Sequence, residues 1–122
     1  MHLLLPASEA TEALGRALAA TRPAQAVVVL KGAGTIVAAA GQAPRVLDAG
    51  NPGMAVGGMG DVLTGVIVAL RASGMSAFDA ASAGALLHSL AGDAAAQEGE
   101  RGLLPADLFL PLRHLANPPG VD

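Results

Sequence analysis

The sequence predicts an α/β fold in which short strands come first and a helical carboxyl-terminal half follows. The run "AVVVL" at 26–30 is apolar and β-branched, which is typical of a strand that is buried on both faces. Glycine-bearing turns separate it from "TIVAA" at 35–39 and "RVLDA" at 45–49, the second and third predicted strands. From residue 61 onward the apolar residues recur at helical spacing. This order of elements favours helices layered on a small sheet.

Four helices are predicted around these strands, at 8–20, 61–71, 77–99 and 106–115. Ser76 followed by Asp79 forms an acidic variant of a capping box, which predicts the start of the third helix. The apolar face of that long, alanine-rich helix is expected to carry Leu86, Leu87 and Leu90.

The composition disfavours several classes of function. The formal net charge is −3, Lys31 is the only lysine, and the aromatic residues are two Phe. A basic patch and base-stacking side chains are therefore missing, so we expect no nucleic acid and no membrane as a partner. The absence of Cys removes thiolate chemistry and is compatible with a reducing cytoplasm. No signal peptide follows Met1 and no apolar run reaches a membrane span, so we expect one cytoplasmic domain over residues 1–122.

A glycine-rich stretch, "NPGMAVGGMGDVLTG" at 51–65, is the first candidate for chemistry. If a helix begins near Gly60, its first backbone N–H groups lack internal partners and the helix dipole adds partial positive charge. Glycine allows close approach of a ligand, so this loop can bind an anion without a basic side chain. Asp61 would then be either an ordinary acidic residue of a helix start or a general base that deprotonates a hydroxyl in phosphoryl transfer.

The same stretch does not fit two common phosphate-binding motifs. A P-loop requires Lys and then Ser or Thr after its last glycine, whereas Asp61 and Val62 follow here. The dinucleotide fingerprint requires a preceding strand and a ribose-binding acid about 20 residues on, at a strand end. Asp79 lies near that distance, but at a predicted helix start.

A second glycine-bearing turn, "KGAGT" at 31–35, directly follows the first predicted strand. Lys31 at the end of that strand is placed to reach a nucleotide phosphate, and the alternative is an exposed hairpin turn with a solvated lysine. His88 has no Cys, His or carboxylate partner at metal-ligand spacing, so we assign it a structural or surface role and predict no metal site. Asp93, which follows Gly92, is expected to be solvated.

Taken together, the motifs resemble the carboxyl-terminal half of ribokinase-like proteins, and more narrowly the ADP/ATP-dependent NAD(P)HX dehydratases that repair hydrated nicotinamide nucleotides. The segments that carry the resemblance are 27–38, 50–67, "HSLAGD" at 88–93 and "GLLPADL" at 102–108, and the match covers about 24–115. The Gly-Asn-Pro-Gly-Met lead ahead of Gly-x-Gly-Asp is characteristic of the dehydratases. The resemblance implies a partial ribokinase-like three-layer α/β/α domain. It also implies a homo-oligomer or association with a missing first half.

The resemblance further implies the roles of individual residues. The implied nucleotide-binding residues are Lys31, Gly32, Ala33, Gly34, Thr35 and Gly60. The implied anion hole consists of Gly58, Met59 and Gly60, and the implied substrate-binding residues are Asn51 and Asp61, with Asp61 as the catalytic base. The implied reaction uses ADP or ATP, with Mg²⁺ at the phosphates, to phosphorylate the hydroxyl of (6S)-NADHX or (6S)-NADPHX. Loss of phosphate then restores NADH or NADPH.

Two alternatives stay open from the sequence. One is a ribokinase-like kinase of a small hydroxylated metabolite, which would share the base and the anion hole without elimination. The other is a truncated, non-catalytic nucleotide-binding protein. Val56 and Met59 stand where the family usually has Ser or Thr, and the bulky Met59 is expected to crowd a phosphate in the loop.

Overall fold

The computed structural model describes residues 7–21, 26–32 and 34–117. Its strands and α-helices are α1 Ala7–Thr21, β1 Val28–Leu30, β2 Thr35–Ala38, β3 Arg45–Leu47, α2 Met59–Ala72, α3 Ala77–Ala95 and α4 Phe109–Ala116. Short 3₁₀ helices lie at Pro52–Met54, Ala96–Glu98 and Pro105–Leu108. Each predicted strand and helix is therefore present, with boundaries that differ by a few residues. None of the helices in these ranges combines the length and apolarity needed to cross a bilayer.

The three strands form an antiparallel sheet in the order β1–β2–β3. Leu30 of β1 pairs with Ile36 of β2, and Thr35 of β2 pairs with Leu47 of β3. Alternate side chains of β2 enter two different cores, because successive residues of a strand point to opposite faces. The core on the α1 side contains Ile36, Ala38, Ala13 and Ala17. The core on the side of α2 and α3 contains Val37, Ala39, Leu63, Phe78, Ala81 and Ala85. The sheet thus lies between two helical layers, which confirms the predicted three-layer α/β/α arrangement.

The prediction that the first strand is buried on both faces is wrong. Residues 28–30 are only half-buried, whereas every residue of β2 is buried. The reason is topological: among the described residues β1 pairs only with β2, so β1 forms an edge of the sheet and β2 its centre. The apolar run at 26–30 therefore identified a strand correctly but not its place in the sheet.

The expected apolar face of α3 is also wrong. Leu86 and Leu90 are 41% and 38% exposed, whereas the buried positions are Phe78, His88 and a series of small residues. A Cβ added to Gly84 would lie 2.7 Å from Cγ1 of Ile67, so α2 and α3 approach closely at this glycine. At the start of α3, Ser76 Oγ accepts a hydrogen bond from the Asp79 N–H at 3.2 Å, as the predicted cap requires.

Candidate active site

Helix α2 begins inside the glycine-rich stretch, and Gly58 is its N-cap. Gly58 has φ +94° and ψ −18°, a left-handed conformation that favours glycine. Gly57 and Gly60 differ from Gly58, because a Cβ at either position would meet no side chain and no backbone of another segment within 4 Å. Packing within the protein therefore explains Gly58 but leaves the glycines at 57 and 60 unexplained.

The first turn of α2 presents free backbone donors to solvent. The Val62 N–H bonds to the Gly58 carbonyl at 3.2 Å, whereas no described residue accepts a hydrogen bond from the N–H of Gly60 or Asp61. Both Gly60 and Asp61 are exposed. Unpaired N–H groups together with the positive end of the helix dipole form a geometry that suits an anion. The Asp61 carboxylate lies in the same turn and is open to solvent.

Met59 lies between the exposed residues Gly58 and Gly60, but it is itself buried, with only 1% of its surface exposed. It packs with Ala91 of α3 and with Leu103 and Leu108, in a third hydrophobic cluster. The expectation that this side chain crowds a phosphate is wrong, because it points into the protein and leaves only its backbone at the loop. Val56, the other position where the resemblance implies Ser or Thr, is exposed.

A cavity of about 830 Å³ lies next to the loop, a size suited to a small organic ligand. Four of the predicted site residues line it, namely Lys31, Gly32, Thr35 and Asn51. Its other polar lining residues include His88, Ser89 and Glu100. The predicted nucleotide turn and the predicted substrate residue Asn51 are thus brought to one cavity.

The remaining predicted site residues lie outside this lining. Gly58, Met59, Gly60 and Asp61 occupy the start of α2, one turn before Leu63, which does line the cavity. Gly34 is buried, and a Cβ there would meet Leu47 and Val46 at 3.9 Å. Ala33 lies outside the described residues. Within the described ranges no group of three or more His, Asp or Glu is placed to hold a metal ion.

Asn51 shapes the loop ahead of α2 through both ends of its amide. Its Oδ1 accepts a hydrogen bond from the Gly53 N–H at 3.0 Å and caps the 3₁₀ helix Pro52–Met54. Its Nδ2 donates to Asp93 Oδ1 at 2.9 Å. The other oxygen of Asp93, Oδ2, accepts from the Gly50 N–H at 2.9 Å. A substrate contact of Asn51 stays a prediction, since these bonds give the residue a structural task.

The prediction that Asp93 is solvated is therefore wrong. The side chain is half-buried and binds two groups of the loop that lie more than 40 residues earlier in the chain. The only sequence signal was indirect: Asp93 and Asn51 both fall in segments that carry the family resemblance. A contact over that separation cannot be derived from the spacing of residues in a single sequence.

His88 is buried, with 2% of its surface exposed. Its Nε2–H donates a hydrogen bond to the Met59 carbonyl oxygen at 3.0 Å. Burial lowers the pKa of His88 below its ordinary value, and the positive charge of Lys31 lowers this pKa further, while the bond to Met59 acts in the opposite direction. Burial thus favours the neutral imidazole, which donates a structural hydrogen bond at the start of α2.

Comparison with known proteins gives a consistent result. Residues 4–113 match the family model described as NAD(P)H-hydrate dehydratase. The chain is 57% identical over 95 residues to the bifunctional NAD(P)H-hydrate repair enzyme Nnr of Coxiella burnetii, covering 77% of this chain and 20% of the relative. It is 54% identical over 97 residues to Nnr of Escherichia coli, covering 79% of this chain and 19% of the relative. The chain therefore spans about one fifth of the length of these curated relatives.

A solved structure matches both the fold and the sequence. It is the ADP/ATP-dependent NAD(P)H-hydrate dehydratase of Bacillus subtilis, co-crystallised with ATP/Mg²⁺. The match has a TM-score of 0.80 and 27% identity, and it covers 88% of this chain and 39% of that chain.

Proposed function

The chain belongs to the NAD(P)H-hydrate dehydratase family, and on that premise we propose that it binds an adenine nucleotide and takes part in the nucleotide-dependent dehydration of NAD(P)HX. The products would be NADH and NADPH, from the (6S)-hydrates. Lys31, Gly32 and Thr35 would contact the nucleotide at the cavity, and Ala33 and Gly34 would belong to the same turn. The whole reaction is part of this proposal, because the match covers only 39% of the B. subtilis enzyme.

One observation carries this proposal more than any other. Gly60 and Asp61 are exposed residues whose N–H groups have no acceptor among the described residues, in a turn whose glycines at 57 and 60 are not required by packing. Backbone donors at a helix start are suited to phosphate oxygens, and glycine removes the Cβ that would obstruct them. Gly58, Met59 and Gly60 would form this anion hole through their backbones, with Gly60 as its free donor, because the Met59 N–H bonds to the Val56 carbonyl at 3.4 Å.

Asp61 would supply the base. In the proposed step, its carboxylate accepts the proton of the hydrate hydroxyl while the hydroxyl oxygen attacks the terminal phosphoryl group of ADP or ATP. The bond between that phosphorus and its bridging oxygen breaks, and the shortened nucleotide leaves. Phosphate then departs from the ring carbon, with loss of a proton from the adjacent carbon, and the C=C bond is restored. Phosphate is a far better leaving group than hydroxide, which explains the use of a nucleotide.

The described residues could bind Mg²⁺ only together with the nucleotide phosphates. They contain no cluster of three or more His, Asp or Glu that would hold a metal by itself. Mg²⁺ commonly keeps several waters and binds through substrate phosphates with one or two carboxylates. We propose that the nucleotide phosphates hold most of the ion's coordination and that it neutralises their charge.

We also propose that the protein acts in the cytoplasm and that its active unit contains more polypeptide than one copy of this chain. Among the described residues β1 pairs on one side only, and β1 residues are half-buried. A strand edge of this kind readily pairs with a further strand. Either a second copy of the chain or the remaining part of a family domain could supply the strand that pairs with this edge.

Incubation of the purified chain with NADPHX, Mg²⁺ and either ADP or ATP tests the proposal. We expect the near-ultraviolet absorbance of the reduced nicotinamide to return, and only when nucleotide is present. Nucleotide binding without this return would contradict dehydration and favour a non-catalytic nucleotide-binding protein. Nucleotide consumption with a small hydroxylated metabolite, but not with NADPHX, would favour a kinase.

A further inference from the structure

We propose that Asp93 and His88, five residues apart on α3, are positioning residues that fix the two ends of the loop 50–60 in the geometry that receives nucleotide phosphates. That the loop receives nucleotide phosphates rests on the proposed function. The contacts of Asp93 and His88 with the loop are features of the structure and are independent of that function.

Asp93 holds the entry of the loop. Its two carboxylate oxygens accept hydrogen bonds from the Gly50 N–H and from Asn51 Nδ2, both at 2.9 Å. Asn51 extends this attachment by one more step, because its Oδ1 accepts from the Gly53 N–H at 3.0 Å. Hydrogen bonds to a charged acceptor are stronger than neutral ones, so one carboxylate determines the path of four consecutive loop residues.

His88 holds the exit of the loop. Met59 is the first residue of α2, and its carbonyl oxygen receives the Nε2–H of the buried His88 at 3.0 Å. The peptide group of this carbonyl also contains the N–H of Gly60, one of the two free donors of the anion-binding turn. The orientation of that donor is therefore linked directly to the hydrogen bond from His88.

The middle of the loop rests on the same helix. A Cβ added to Gly92 would collide with the Sδ and Cε atoms of Met54, so Met54 lies directly on the backbone of α3. Three positions of α3 within two turns, namely 88, 92 and 93, thus contact the entry, middle and exit of the loop 50–60. These positions are the His, Gly and Asp of the segment "HSLAGD" at 88–93. Their contacts with the loop give a physical reason for these residue types.

Substitutions that preserve shape test the two roles in the full chain. Asp93→Asn replaces one acceptor oxygen with an amide donor that faces another donor, and we expect ATP/Mg²⁺ affinity to fall about tenfold or more. Asp79→Asn is the matched control, since Asp79 is an exposed carboxylate of the same helix that pairs with Arg45 at 3.3 Å. We expect its affinity to stay within about twofold of the parent.

His88 offers a rescue test. His88→Leu removes the donor to Met59, whereas the amide of His88→Gln can still donate to the same carbonyl. We expect His88→Leu to weaken ATP/Mg²⁺ binding about tenfold and His88→Gln to recover most of it. Equal losses in the two variants would overturn the role of this hydrogen bond.

Amide hydrogen exchange separates positioning from general stability. We expect Asp93→Asn to speed exchange at Gly50 and Gly53, and His88→Leu at Val62, more than either variant speeds exchange in the central strand β2. A uniform increase at all amides, β2 included, would show a merely structural role and overturn the proposal. If the parent binds neither ATP nor ADP, the proposed function fails for this chain, while the exchange pattern still decides whether Asp93 and His88 fix the loop.

Discussion

Pro105 lies so close to Gly58 that a Cβ on the glycine would fall 3.0 Å from the proline Cγ. This contact and the positive φ of Gly58 explain, from the fold alone, why α2 begins with glycine. Gly60, two residues later, has neither restraint, since nothing outside its own helix lies within 4 Å of a built Cβ and its φ is not positive. Folding and ligand binding can therefore be separated by mutation at Gly60.

Gly60→Ala is expected to keep or raise stability and to weaken nucleotide binding. Alanine is favoured over glycine inside a helix by up to about 1 kcal/mol, and the added methyl group would occupy the space into which phosphate must come. We expect a loss of ATP/Mg²⁺ affinity of about tenfold or more by isothermal titration calorimetry. Gly65→Ala is the control, because Gly65 lies on the same helix with equally open space. Equal affinity in both variants would remove Gly60 from the phosphate site.

Met59→Ser is expected to destabilise this chain. The Met59 side chain is 1% exposed and packs with Ala91, Leu103 and Leu108. Truncation leaves a cavity and buries a hydroxyl, at a cost of about 2–5 kcal/mol by analogy with buried Met→Ala changes. Urea unfolding measures this cost. A change below about 0.5 kcal/mol would show that Met59 is not part of the core.

The buried histidine predicts a pH dependence of stability. The pKa of His88 is lowered in the folded chain, chiefly by burial, from an ordinary value of 6.5. Below pH 6.5 the unfolded chain therefore binds a proton that the folded chain does not, and the free energy of unfolding falls as pH decreases toward the folded-state pKa. The slope approaches about 1.4 kcal/mol per pH unit for one proton. Urea unfolding between pH 7 and 5 should show the free energy of unfolding falling toward acid pH in the parent, and falling less in His88→Gln. Parallel curves would contradict the assignment.

Gly84→Ala is expected to disturb the contact between α2 and α3. The added Cβ would lie 2.7 Å from Cγ1 of Ile67, so this side chain must move, and the Ile67 Cα at 3.4 Å leaves little room beside it. Overpacking of this kind typically costs about 1–3 kcal/mol. Gly15→Ala on α1 is the control, since no atom outside its own helix lies within 4 Å of its built Cβ. Thermal unfolding should show a lower Tm than the parent for Gly84→Ala and no decrease in Tm for Gly15→Ala.

The sequence predicted the order and type of the elements, because these depend on local periodicity. The run at 26–30 and the turn at 31–35 specify a strand and a hairpin whichever strands lie beside them. Periodicity does not report sheet position, so the half-buried edge β1 was mistaken for a buried strand. Hydrophobic periodicity also predicts that leucine is buried in a helix interface in preference to glycine. In α3, however, Gly84 forms the contact with α2, and Leu86 is exposed.

The candidate site was predictable to a similar extent. The start of α2 and its exposed Asp61 follow from the glycine pattern and from helix-end physics. The contacts of Asp93 with Gly50 and Asn51, and of His88 with Met59, join distant segments, and no rule of spacing connects them. Single-sequence reasoning therefore located the loop but not the helix residues that hold it.

The rate of NADPHX repair in Asp61→Asn tests the central claim most directly. Loss of a general base typically reduces a rate about 10²- to 10⁴-fold. The assay follows reduced nicotinamide with ADP or ATP and Mg²⁺, and calorimetry measures nucleotide affinity in parallel, with Asp79→Asn as the control for charge. We predict a loss of at least about a hundredfold in turnover for Asp61→Asn, with nucleotide affinity retained and with Asp79→Asn like the parent. Turnover in Asp61→Asn equal to that of the parent would contradict the account.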